Sequence, residues 1–269
     1  KNFKRTKILA TLGPSTNSYE MVFNLINSGA NGVRLNFSHG TYEEREQKIK
    51  WIRKESKELS KPVDIMQDLQ GPKISIEDFD GVIAIEEGQS LQFKYGADYG
   101  RSGMIPIQYD LAKKVARGER IFLFDGKVKT TVTSVTDGVV HARADNDGVI
   151  MQRKGMNLPD TVLDIGAMTE KDREDVKFAL DRQVDWLALS FVRRASDVEE
   201  LRKLVQADTS FGRITPIISK IEKPEAITNI DEIIEVSDAI MVARGDLGIE
   251  TSPEAVPMVQ KLIIAKCHA

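Results

Sequence analysis

Cysteine is almost absent: Cys267 is the single one in 269 residues. No intrachain disulfide can form, and a reducing, cytoplasmic setting is the easier reading. Long hydrophobic runs are missing too. The basic opening, residues 1–7, leads into one strand-length apolar run broken by Gly13-Pro14, too short for a signal or membrane segment. Nor is there an excess of positive charge. Lys and Arg number 38 against 41 Asp and Glu, for a net charge of -3, and there is neither a basic half nor a long Lys/Arg run. That balance excludes a general nucleic-acid or membrane-surface binder and leaves small molecules as partners. The first turn, Gly13-Pro14-Ser15, also lacks the GxGxxG spacing of a dinucleotide fold.

Core material is plentiful at 41% hydrophobic residues, enough for one or two domains. Residues 7–12 read as a buried strand, 17–28 as a helix with Tyr19, Val22, Phe23 and Ile26 on one face, and 32–37 as a second strand. A long charged helix over 41–59 and a third strand over 62–66 follow. After Pro72 the rhythm changes to short alternating segments divided by turn signals such as Phe79-Asp80-Gly81, Glu87-Gly88 and Thr136-Asp137-Gly138. Helices over 170–181, 195–205, 224–236 and 253–267 then alternate with strands over 185–191, 215–221 and 239–243. Six strand-helix units in series predict a parallel sheet covered by helices.

The polar residues choose between parallel architectures. The six strands run into Thr11, into Arg34 with Asn36 and Ser38, into Asp68, into Ser190, into Lys220 with Glu222, and into Asp246. Chemistry pooled at many strand ends suits a (β/α)8 TIM-type barrel, with about six of its eight units present. The division predicted is a first barrel part over residues 1–73, an inserted small β-rich lid over 74–158, and a second barrel part over 159–269.

Two apolar strands carry the strongest chemical signal, ending in Ser219-Lys220-Ile221-Glu222 and in Ala243-Arg244-Gly245-Asp246. Buried strands that stop on charge are costly without a ligand. Lys220 and Glu222, two apart on a strand, share a face; a carboxylate suits Mg2+ or Mn2+ and a lysine suits a moving phosphoryl group. A structural ion pair competes with that reading until Asp246 adds the second carboxylate that a hard cation needs. The turn 244–248 also offers backbone N–H groups to an anion. Arg34, Asn36 and Ser38 share a face by the period of two, a set suited to phosphate, with an ordinary strand-end ion pair of Arg34 as the alternative. His39 beside Gly40 is equally a helix cap or a ligand and receives no catalytic role. Asp68-Leu69-Gln70-Gly71-Pro72-Lys73 is at once linker and site candidate, its Gly-Pro permitting lid motion.

Together the segments Thr11-Leu12-Gly13-Pro14-Ser15, Val33-Arg34-Leu35-Asn36-Phe37-Ser38-His39-Gly40, Gly71-Pro72-Lys73, Lys154-Gly155-Met156-Asn157-Leu158-Pro159, Ser219-Lys220-Ile221-Glu222 and Met241-Val242-Ala243-Arg244-Gly245-Asp246-Leu247-Gly248 resemble the pyruvate kinase family in order and spacing. The resemblance implies a barrel with a mobile lid, a small β-barrel, inserted after the third strand. It implies phosphoryl transfer from phosphoenolpyruvate to ADP, giving pyruvate and ATP. Catalysis would fall to Lys220 and Arg34, substrate binding to these with Gly245 and Asp246, and Mg2+ or Mn2+ to Glu222 and Asp246. Thr11, Pro14, Asn36, His39, Asp125 and Lys154 would line the nucleotide side.

Three departures stand out. Lys73 stands where potassium-dependent members have Glu, and Leu69-Gln70 where they have Thr-Lys. This resembles the potassium-independent branch, in which an ammonium replaces the monovalent ion near Asn36, Ser38, Asp68 and Leu69. Ser75 stands where an Arg is usual, which removes a cation expected near the phosphates and bears on full activity. The sequence ends at Ala269, before the family's last two barrel strands and C-terminal domain. The 269-residue polypeptide is therefore expected to be inactive, weakly stable and prone to associate, and the full-length protein to be a homotetramer. A Mg-dependent lyase or aldolase of the phosphoenolpyruvate-binding barrels is the rival enzyme, and a catalytically silent fragment the rival that is no enzyme.

Overall fold

The computed structural model describes residues 5–38 and 40–269. Strand β1 (Leu9–Leu12) leads to α1 (Tyr19–Asn27), β2 (Gly32–Asn36), α2 (Tyr42–Glu58) and β3 (Asp64–Asp68). Both helices begin on sequence-encoded caps. Ser18 Oγ accepts the Met21 N–H, and Thr41 with Glu44 forms a reciprocal capping box. Short strands follow: β4 (Val82–Ile85), β5 (Ser90–Tyr95), then α3 (Tyr99–Ser102), β6 (Ile105–Ile107), β7 (Arg120–Leu123), β8 (Val128–Thr136), β9 (Val139–Ala144), β10 (Gly148–Met151) and β11 (Met156–Asn157). The chain continues through α4 (Glu170–Asp181), β12 (Trp186–Leu189), α5 (Ala195–Ala207), β13 (Ile217–Ile221), α6 (Pro224–Thr228), α7 (Ile230–Val236), β14 (Ala239–Val242), α8 (Arg244–Glu250) and α9 (Val256–Cys267).

These elements group into two compact units. The first comprises the segment ending at Gly71 with Ala167–Ile221 and Asn229–Met241. Its sheet has the order β1-β2-β3-β12-β13-β14, with the pairs from β1 through β13 all parallel. Strands buried on both faces explain the near-continuous apolar runs: Val33, Leu35, Ile65, Met66, Leu187 and Leu189 are all buried. Parallel register sets the strand ends side by side, with Asp68 opposite Asn36 on one neighbour and opposite Ala188 on the other. β1 and β14 lie at the two ends of the order, as six units in sequence require.

The second unit comprises Pro72–Gly166, Glu222–Thr228 and Val242–Ala269. Its main sheet has the order β11-β7-β8-β9-β5-β6, antiparallel except for the β5–β6 pair, and β4 pairs with β10 in a separate ribbon. Phe93, Ile107, Leu111, Ile121 and Leu123 centre its core. The turn signals behave as read: Asp137 and Gly138 take φ of 51° and 75°, the left-handed pair that a two-residue hairpin demands.

Several boundaries differ from the sequence expectation. The third strand runs two residues further than the predicted 62–66, so Asp68 is its last residue rather than part of the loop. The helix expected over 224–236 is divided at Asn229, whose side-chain amide donates to the Arg193 carbonyl at 2.9 Å. Residues 244–248, expected as a turn, open helix α8. The last helix starts at Val256 rather than Pro253, after a turn in which the Ala255 N–H bonds the Ser252 carbonyl.

Candidate active site

In the first unit the ends of β1, β2, β3, β12 and β13 converge on one carboxylate. Asp68 is 2% exposed. Its Oδ2 accepts Arg34 Nε at 2.7 Å and also pairs with Arg34 Nη2. Its Oδ1 lies 3.2 Å from the Lys220 ammonium, and Ser190 Oγ lies at the same 3.2 Å. Lys220, itself 7% exposed, donates to Ser190 Oγ at 2.8 Å. Thr11 Oγ1 accepts from Arg34 Nη1 at 3.3 Å. Side chains from five strand ends thus meet because the parallel register aligns those ends. The candidates Thr11, Arg34, Asp68 and Lys220 are brought together.

Ser190 was visible in the sequence only as a strand-end polar residue, yet it bridges Lys220 and Asp68 and also reaches the Leu69 carbonyl at 2.7 Å. Leu69 is 1% exposed, so only its backbone takes part. Gly71 follows at φ +72°. A Cβ there would lie 3.0 Å from both Ser190 and Phe191 side-chain atoms, so glycine lets the chain turn away immediately beside the cluster. The Gly71 N–H donates to Asp172 Oδ1 at 3.1 Å, which fixes the turn to the start of α4.

The loop after β2 is held from outside the sheet. Ser38 N–H donates to Asn36 Oδ1 at 3.0 Å, while Arg45 Nη2 and Lys171 Nζ donate to the Phe37 carbonyl at 3.0 and 2.9 Å. Arg45 stacks 3.9 Å over the Phe37 ring. Buried Asp175 anchors this support: it accepts Tyr42 Oη at 2.8 Å and Lys171 Nζ at 2.5 Å. Burial first, and then this bond to Asp175, push the Tyr42 phenol up to about 12. Burial likewise pulls the Arg45 guanidinium below its ordinary value, against the opposing pull of Asp175. His39 lies outside the described residues.

Pro14 opens a short 3-10 turn of the first unit (Pro14–Thr16), and the second unit carries the other candidates. Glu222 follows β13 directly and is 1% exposed, while Gly245 and Asp246 occupy the first turn of α8. Asp125 sits in the β7–β8 turn, where Phe124, Asp125 and Gly126 have consecutive left-handed φ values of 51°, 53° and 77°. For Phe124 and Asp125, which carry side chains, that backbone region costs energy that glycine does not pay. Asp125 and Gly245 line the same cavity of about 800 Å³, together with Arg120, Lys129, Arg244 and Thr251. The Lys154 ammonium lies 4.6 Å from the centre of the Phe124 ring. Lys73 passes so close to Gly155 that a Cβ there would stand 2.1 Å from Lys73 Cε. Ser75 Oγ is bound to Gln108 Oε1 at 2.7 Å.

Among the described residues no group of three or more His, Cys, Asp or Glu side chains is arranged to hold a metal ion. Glu222 and Asp246, the two carboxylates that the sequence reading offers to a cation, both belong to the second unit. Two carboxylates are the donor chemistry that Mg2+ commonly takes, its remaining positions going to phosphate oxygens and water.

The sequence profile of the pyruvate kinase barrel domain matches residues 3–269. The chain belongs to the pyruvate kinase family. It is 43% identical to pyruvate kinase 2 of Synechocystis sp. over 98% of its own length and 45% of that protein's. Against the pyruvate kinases of Sporosarcina psychrophila and Staphylococcus aureus it is 42% and 41% identical, again over 98% of this chain and 46% of each relative. The chain therefore spans about half the length of the curated relatives it matches. Membership of the pyruvate kinase family agrees with the α/β architecture, a barrel-type parallel sheet interrupted after its third strand by a β-rich insert. Among the described residues no helix is long and apolar enough to cross a membrane.

Proposed function

We propose that the protein containing this chain transfers the phosphoryl group of phosphoenolpyruvate to ADP, giving pyruvate and ATP. The observation that carries this reading is the pair of cations, Arg34 and Lys220, preassembled on the single buried carboxylate of Asp68. Phosphoryl transfer needs little covalent help and much fixed positive charge. Arg34, whose fork suits phosphate oxygens, holds the ground-state phosphate, and Lys220 meets the charge that develops as the group moves. Because Asp68 and Ser190 restrain Lys220, little reorganisation is needed at the moment of transfer.

Glu222 and Asp246 would hold Mg2+ or Mn2+, which when bound would supply Lewis-acid charge neutralisation. The amides at Gly245 and Asp246 hold the substrate carboxylate. Thr11, Pro14, Asn36, His39, Asp125 and Lys154 serve the nucleotide. Lys73 supplies the monovalent charge that potassium gives elsewhere in the family, in company with Asn36, Ser38, Asp68 and Leu69, so potassium is not required. The full-length protein acts as a cytoplasmic homotetramer and binds neither nucleic acid nor membrane.

Calorimetric titration with phosphoenolpyruvate in the presence of Mg2+, alongside an assay coupled to pyruvate reduction, tests the reading. Arg34→Gln should weaken phosphoenolpyruvate binding at least tenfold. Unchanged binding in that variant would remove the cluster from substrate recognition.

A further inference from the structure

The turn between β7 and β8 breaks a local rule at one residue. Asp125 and Gly126, at φ 53° and 77°, are the left-handed pair that a tight hairpin demands, and the Lys127 N–H closes that turn on the Phe124 carbonyl at 3.1 Å. Phe124 lies outside the pair, yet it too is left-handed, at φ 51°. A bulky side chain rarely takes that conformation, and an outlier of this kind is a reason to ask what the side chain does there.

The surroundings of the ring supply the answer. The Lys127 ammonium lies 4.1 Å from its centre and the Lys154 ammonium 4.6 Å. Both distances are within the range over which an aromatic face attracts a cation. The two lysines come from different segments. Lys127 leads into β8, whereas Lys154 is brought to the ring by the backbone: the Phe124 N–H donates to the Gly155 carbonyl at 3.1 Å, where β11 pairs with β7. Lys154 is itself fixed, its carbonyl accepting the Ile76 N–H at 3.0 Å. Among the described residues neither ammonium forms an ion pair. Two like charges gathered on one ring without a counter-charge repel each other, and an anion carrying more than one charge relieves that repulsion.

We propose that Phe124 is a positioning residue for the nucleotide diphosphate: its ring seats the Lys127 and Lys154 ammonium groups as a pair, and Lys127 joins Lys154 in meeting the phosphate charge. The proposal rests on the reading of Lys154 as a nucleotide-binding residue. The phosphate contacts are made by the two lysines and not by the ring, so Phe124 acts through them.

Calorimetric titration of the protein containing this chain with ADP and Mg2+ tests this. Phe124→Leu keeps the apolar bulk and removes the ring, and should weaken ADP about fivefold. Phe124→Tyr restores an aromatic face and should bind within about twofold of the parent. Lys127→Met should weaken ADP at least about fivefold. When Lys127→Met and Lys154→Met are combined, adding Phe124→Leu should change affinity by less than about twofold, because the ring then has no cation to seat. Circular dichroism checks that each variant is folded. Parental binding in Phe124→Leu or in Lys127→Met, a tyrosine variant as weak as the leucine one, or a further loss on adding Phe124→Leu to the double variant would each overturn the proposal. Lys154→Met alone separates the two levels. If it binds ADP as the parent does, the nucleotide reading of Lys154 falls and the proposal with it, whereas a loss there beside normal binding in Phe124→Leu sinks the role of Phe124 alone.

Discussion

Replacing Asp68 by Asn removes a negative charge that both cations of the cluster contact. The Lys220–Asp68 pair is nearly dry, with side-chain exposures of 8% and 2%, whereas Arg34 is 28% exposed. Breaking a buried pair from one side costs about 3–5 kcal/mol, and a partly exposed pair adds up to about 1 kcal/mol. The Asn oxygen can still accept from Ser190, which returns about 1 kcal/mol. The net expectation is a loss of about 3–5 kcal/mol, or roughly 10 °C in Tm for a chain of this size. Thermal unfolding followed by far-ultraviolet circular dichroism reads it directly. Inorganic phosphate supplies the second arm. In the variant an anion no longer competes with a resident carboxylate, so saturating phosphate should raise its Tm more than it raises that of the parent chain. A Tm loss below about 2 °C, or equal stabilisation of both chains by phosphate, would refute the idea that Asp68 is the counter-ion around which the site is built.

Lys220→Met should leave phosphoenolpyruvate affinity within about threefold while kcat falls by about 10³ or more, the pattern of a group that acts in the transition state; a near-normal kcat would discharge Lys220. Gly155→Ala keeps an ordinary backbone but drives a methyl to within 2.1 Å of Lys73 Cε, so its transfer rate should fall and recover on addition of potassium, and Lys73→Glu should create at least a partial potassium requirement. Rates indifferent to potassium in both variants would disconnect Lys73 from the monovalent role. Glu55 is fully buried with neither carboxylate oxygen partnered among the described residues, and burial first, then the Glu58 charge, raise its pKa above the ordinary 4.5. Its neutral form therefore contributes stability that is complete below the unfolded value and lost as pH rises through the higher folded one. Urea unfolding should show Glu55→Gln gaining on the parent as pH rises from about 4 to 7, and a constant difference across that range would contradict the buried, raised acid.

Much of this protein was legible in its sequence because local rules and tertiary structure agree. Apolar strands bounded by Gly and Pro, capped helices such as the one opened by Thr41 and Glu44, and the Asp137-Gly138 hairpin all formed where propensity put them. The charged ends of those strands also marked the candidate chemistry, since a Lys or Asp at the mouth of a buried strand announces itself by cost. Three things waited on the fold. Strand register decided that Asp68, one residue among several in a loop-like segment, closes β3 and faces both Arg34 and Lys220. Close packing made Ser190 a bridge and Asn229 a helix break, roles that no spacing encodes because their partners lie 30 and 36 residues away. Glu250 carried no signal in the sequence. Only burial beside Asn157 and Lys223, brought from distant segments, made its charge consequential, because the energy of a carboxylate depends on what surrounds it and a sequence states only its neighbours in the chain.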